Sequence, residues 1–75
     1  MNFSKAIRVL MEENDLSSKQ VEQETGWSHS YVSGVRCGSS DPMPRLREWA
    51  DTLGVPIEAL IARAKEYEPK NGAAA

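Results

Sequence analysis

The stretch Leu16 to Gly38, LSSKQVEQETGWSHSYVSGVRCG, leaves the chain few ways to fold. Ser17 followed three residues later by Gln20 has the spacing of a capping box. In that motif the hydroxyl accepts from a helical N–H and the amide side chain returns to the N–H of the cap. A second helix start follows at Ser28, ahead of apolar Val32 and Val35, with Trp27 and Val32 at the N′ and N4 spacing of a hydrophobic staple. The residues between these starts, Thr25 to Ser28, leave room only for a tight bend. Gly26 can take the positive φ such a bend needs without a Cβ clash. The stretch therefore predicts helices over about 18–25 and 29–36 in a helix-turn-helix arrangement.

The rest of the chain reads as support. Phe3, Ile7, Leu10 and Met11 form the stripe of an amphipathic helix over about 3–13, with Asn2 or Ser4 as cap and Asn14 as a left-handed stop. Val21 and Thr25 are expected to face inward from the second helix. Val32 and Val35 bury one side of the third, leaving His29, Ser30, Ser33 and Gly34 on its outward face. After the loop GSSDPMP, Leu46, Trp49, Ala50 and Leu53 predict a fourth helix over about 44–53, with Pro44 in its first turn and Gly54 closing it. Pro56 is expected at the first position of a fifth helix over about 56–67, with Ile57, Leu60, Ile61 and Ala64 as its stripe. The expectation is one all-α domain over 1–68 and a flexible tail over 69–75.

Seventy-five residues stabilise one core only marginally, so oligomerisation would help. One cysteine, Cys37, excludes an internal disulfide and reads as an unremarkable thiol. One His and one Cys make no metal cluster, and no basic start with a long apolar run opens the chain; the expectation is a cytoplasmic, soluble protein that spans no membrane. A formal charge of −2 argues against a polycation that coats nucleic acid by charge alone. The charges are nevertheless segregated. Glu12, Glu13, Asp15, Glu22 and Glu24 precede the bend, whereas His29, Arg36, Arg45 and Arg47 follow it. Ser28, Ser30 and Ser33 have no acid–base partner beyond His29 and no Gly-x-Ser-x-Gly elbow, so no enzyme is expected. Trp27 and Trp49 fall on inward stripes and are expected in the core. The core is too small to spare a small-molecule pocket, and no cofactor is expected.

The ordered set of Leu16-Ser17, Val21, Gly26, Ser28-x-x-Tyr31-Val32-Ser33, Val35, Gly38, Leu46 to Ala50 and Leu53-Gly54-Val55 resembles the phage Cro and repressor group of DNA-binding proteins, the XRE-like family. The resemblance covers about Ile7 to Leu60. It implies a compact five-helix lambda-repressor-like domain, its third helix in the major groove and its second across the backbone. Carried over residue by residue, it puts Ser18, His29, Ser30, Ser33 and Gly34 toward base edges and Ser17, Lys19, Tyr31, Ser39, Ser40 and Arg45 toward phosphates. It places a homodimer contact in the region Val55 to Tyr67, on Val55, Ile57, Leu60, Ile61 and Ala64, and the stripe of the fifth helix is expected to serve the monomer's core as well. The implied function is a transcriptional regulator of phage or prophage type, acting as a dimer on palindromic operator DNA.

Three departures from that pattern stand out. Many relatives have Ala where this chain has Glu22, and many pair an Arg on the first helix with a Glu on the third, where this chain has Met11 and Arg36. A compensating pair is expected, with Arg36 reaching the carboxylate of Glu22. Gly34 costs roughly 1 kcal/mol of helix propensity against Ala and removes a side chain that relatives use to read bases, which implies either close backbone approach to DNA or reading by fewer residues. The acidic balance and Gly34 keep a second class open, a protein-interaction module of antirepressor or antitoxin type.

Overall fold

A computed structural model describes residues 2–67, and the expected tail over 69–75 lies outside them. Five α-helices follow one another, α1 (Phe3–Glu13), α2 (Ser18–Thr25), α3 (His29–Cys37), α4 (Leu46–Leu53) and α5 (Ile57–Glu66), and no strand occurs among the described residues. None of the helices is long and apolar enough to cross a membrane.

The first three helices begin at side chains that satisfy orphan backbone groups, whereas α4 and α5 start without a side-chain cap. Asn2 Oδ1 accepts from the Lys5 N–H at 3.1 Å and caps α1. The other end of α1 differs from expectation, because Asn14 has φ −103° and the left-handed residue is Asp15, at φ 55°. Leu16 N donates to Met11 O at 2.8 Å and Asp15 N to Glu12 O at 3.2 Å, a Schellman closure one residue further along. Asn14 instead turns its side-chain amide back onto Leu10 O at 2.8 Å. Asp tolerates the left-handed region better than most residues, which is why the stop can move there.

The fourth helix also starts later than its pattern. Met43–Arg45 form a 3₁₀ turn, with Arg45 N bonded to Pro42 O at 2.9 Å, and the α-helix begins at Leu46. Pro44 lacks an N–H, and Arg45 at φ −124° and ψ 26° breaks the helical path. Pro56 is the cap of α5 and not its first helical residue, since its ψ of 151° is extended.

The stripes meet in one core. Ile7, Met11, Val21, Val32, Val35, Trp49 and Leu60 are enclosed, with Phe3, Ala6, Leu10, Leu46, Ala50, Leu53 and Ala64 around them. At roughly 1.5–3 kcal/mol for each large apolar side chain removed from water, this burial is the main term holding α2 and α3 against the other helices. Leu60 and Ala64 are 0% exposed within the single chain, so of the two uses expected for this stripe they serve the core, which corrects their place on a dimer face. Val55, Ile57 and Ile61 are only partly buried against that core. Arg63 clamps α5 to the end of α1, donating to Glu13 from Nη1 at 2.9 Å and from Nη2 at 3.0 Å. These hydrogen bonds, helped by the charge of Arg63, hold the Glu13 carboxyl below its ordinary range.

Candidate nucleic-acid interface

The expected capping box is present in full. Ser17 Oγ accepts from Gln20 N at 3.1 Å, and Gln20 Oε1 accepts from Ser17 N at 2.8 Å. Gly26 ends α2 at φ 80°, with its N–H on Glu22 O at 2.8 Å. Thr25 sits half-buried at this corner, donating to Val21 O at 2.7 Å and accepting from Trp27 N at 3.1 Å, so it braces the bend more than it fills the core. Ser28 Oγ then accepts from Tyr31 N at 3.1 Å and starts α3. The two starts expose Ser17 and Lys19 on α2 and His29 and Ser30 on α3.

Between α2 and α3 lies a groove lined by Ser17, Ser18, Lys19, Glu22, His29 and Arg36. Its ion pairing differs from the expected Arg36–Glu22 contact. Glu22 Oε2 faces His29 Nδ1 at 2.9 Å, while Arg36 Nη1 donates to Ser18 Oγ at 2.6 Å. Glu22 and His29 are the nearer pair, one at the end of α2 and the other at the start of α3. Arg36 therefore extends along the groove to the first turn of α2. Its Nε is enclosed with no hydrogen-bond partner among the described residues. Ser18, expected to face bases, is half-buried beneath this guanidinium.

The outward face expected for α3 is also altered at Gly34. A Cβ there would collide with Ser40 Oγ and lie 3.1 Å from Ser40 Cβ and 3.3 Å from Ser39 Oγ. The chain after α3 folds back on this point, Ser39 N and Ser40 N both donating to Gly34 O at 2.8 and 3.0 Å. Gly34 thus makes room for its own loop and is half-buried beneath it. It is corrected from a base-facing position to a packing one. Ser33 is half-buried beside it, Ser40 is half-buried in the loop and Ser39 is exposed.

Beyond the loop, Arg45 is exposed and its guanidinium carbon lies 4.7 Å from the Tyr31 ring centroid and 5.5 Å from that of Trp27. Trp27 is 4.8 Å from Trp49 and 5.3 Å from Tyr31, centroid to centroid, and Trp49 Nε1 donates to Tyr31 Oη at 3.1 Å. Trp49 is enclosed as expected, but Trp27 is only partly buried and forms part of a shelf under Arg45. Reading the sequence alone did not single out this cluster. Its only trace there is that Trp27 precedes Tyr31 by four residues and Arg45 precedes Trp49 by four.

Lys19, Arg36 and His29 thus share one groove with the carboxylate of Glu22, while Arg45 lies over the rings of Tyr31 and Trp27. Comparison with protein-family models, curated proteins and solved structures found no match to this chain.

Proposed function

We propose that this protein is a sequence-specific, double-stranded-DNA-binding transcriptional regulator of Cro or repressor type, in which α2 and α3 form a helix-turn-helix. The observation that carries the reading is the outward start of α3. His29 and Ser30 are exposed at the end of a helix anchored by buried Val32 and Val35, with Lys19 and Arg36 lining the groove that His29 shares and Arg45 over the ring of Tyr31. A helix presented by its N-terminus suits entry into a major groove, where His29 donates to guanine and Ser30 donates or accepts. Lys19, Ser17, Tyr31, Ser39 and Arg45 then fall to the phosphates, which position the helix without reading sequence.

Two copies paired through the half-exposed edge Val55, Ile57 and Ile61 would present their α3 helices to successive turns, about 34–36 Å apart. The protein would work in the cytoplasm of a bacterial host by occupying an operator and excluding polymerase, with no chemistry of its own. His29 is turned to Glu22 and not to a serine, which suits a binder.

One observation favours a second reading. Glu22 places a carboxylate in the groove where phosphate would approach, which suits a basic protein partner. Titration of labelled duplex DNA with the protein at rising salt separates the two. Counterion release makes the logarithm of the association constant fall by about 0.9 per phosphate neutralised for each logarithmic unit of salt. A slope of several such contacts supports DNA. Absence of salt-sensitive duplex binding overturns it in favour of the protein partner.

A further inference from the structure

The cluster at the first turn of α3 carries one step more, and that step rests on the DNA reading above. An indole N–H donates and never accepts, so in the 3.1 Å contact between Trp49 Nε1 and Tyr31 Oη the phenolic oxygen is the acceptor. Trp49 is 0% exposed, and this bond is the one that satisfies its N–H. The O–H of Tyr31 is thereby directed away from the indole, and no protein acceptor takes it among the described residues. The hydroxyl proton of Tyr31 is left for an acceptor outside the described residues.

The same ring carries Arg45. Its guanidinium carbon stands 4.7 Å from the centroid of Tyr31 and 5.5 Å from that of Trp27, and these two rings meet edge to face at 75°. Stacking uses the face of a guanidinium and leaves its N–H edge available for a second, bidentate partner. No carboxylate pairs with Arg45 among the described residues. A neutral donor and a charged one thus share a single aromatic support.

We propose that Tyr31 and Arg45 hold the same DNA phosphate, the hydroxyl on one non-bridging oxygen and the guanidinium on the group's charge. Trp49 is the positioning residue, holding the phenolic oxygen from the inner side so that its O–H is left to donate. The ligand class is a phosphodiester, because planar bidentate recognition by Arg combined with a neutral hydroxyl suits its two equivalent anionic oxygens. Shelf and α3 share Tyr31, so this phosphate would set the depth at which His29 and Ser30 meet the bases.

The test is a scan of neutral methylphosphonates, one position at a time, across the duplex that the wild-type protein enriches from random sequence. Wild type, Tyr31→Phe, Arg45→Gln and the double variant are compared at a temperature where circular dichroism shows each folded. One position per half-site should weaken the wild type about tenfold when neutralised and leave the double variant unaffected. Arg45→Gln should reduce the salt slope by about 0.9 per half-site, about 1.8 for the dimer, whereas Tyr31→Phe should weaken binding with the slope intact. Together they should cost less than the product of the two losses. Trp49→Phe should blunt the effect at that phosphate alone, while a merely structural role would weaken every position alike.

Tyr31→Phe binding like wild type, or the two variants mapping to different phosphates, overturns the shared clamp while leaving the DNA reading intact. A wild-type protein that enriches no duplex removes both.

Discussion

Glu22 Oε2 lies 2.9 Å from His29 Nδ1, so the side chain proposed to read a base is already engaged by a carboxylate from the preceding helix. The His29 side chain is 76% exposed and that of Glu22 is 22% exposed, so solvent screens the pair and it contributes less than about 1 kcal/mol to stability. Glu22→Gln should therefore leave the melting temperature within a few degrees of wild type. It should also tighten duplex binding by about fivefold at low salt, the value of roughly 1 kcal/mol for charges some 4 Å apart in water. Thermal melts and a duplex titration check both halves. Weaker binding by the variant would show that Glu22 orients His29 and does not restrain it.

Arg36 and Ser18 make a separable prediction. The guanidinium has one hydrogen bond, to Ser18 Oγ, and an enclosed Nε without a partner. Removing the acceptor with Ser18→Ala should destabilise by about 1–3 kcal/mol, because it strands a half-buried charge. Arg36→Met keeps the stem in place and removes the charge, and should be neutral or stabilising. Urea denaturation of both variants tests the pair; a loss for Arg36→Met as large as that for Ser18→Ala would contradict it.

At Gly34 the sign of a substitution depends on the loop. Ala at an open helix position gains up to about 1 kcal/mol over Gly, but here the new methyl meets Ser40. Gly34→Ala should destabilise the wild-type chain. In a Ser40→Gly background the same change should stabilise, and the inversion is read directly from a double-mutant cycle. Equal effects in both backgrounds would mean the loop moves aside at no cost.

Acid should loosen the α1–α5 clamp. The Glu13 carboxyl is depressed from an ordinary value of 4.5, chiefly by the hydrogen bonds from Arg63. A group whose folded pKa is lowered contributes stability that is present above the unfolded value and is lost as pH falls through the folded one. Melting temperature should therefore decline below about pH 4.5, and more shallowly in Glu13→Gln than in wild type. Parallel declines would place the acid sensitivity elsewhere.

Local chemistry made much of this fold legible. The Ser17–Gln20 box, the start at Ser28, the left-handed glycines at 26 and 54 and the apolar stripes of all five helices are set by residues within one turn of each other. What escaped depends on distant neighbours. Arg36 was matched to Glu22 by charge, although Ser18 lies closer along the groove and His29 takes the carboxylate. Gly34 looked bare because Ser40 returns over it only in three dimensions. Leu60 and Ala64 show an apolar stripe that serves a core or a dimer face equally well, and α1 decides for the core. The Arg45 shelf joins the bend, α3 and the start of α4, which no local period connects.

Selection of bound molecules from random duplex DNA at physiological salt tests the central claim most directly. A dimeric reader should enrich a palindrome with half-sites about 10–10.5 base pairs apart, centre to centre. His29→Ala should relax preference at one position of each half-site. A pool that emerges without enrichment would contradict the account and direct attention to a protein partner at the Glu22 groove.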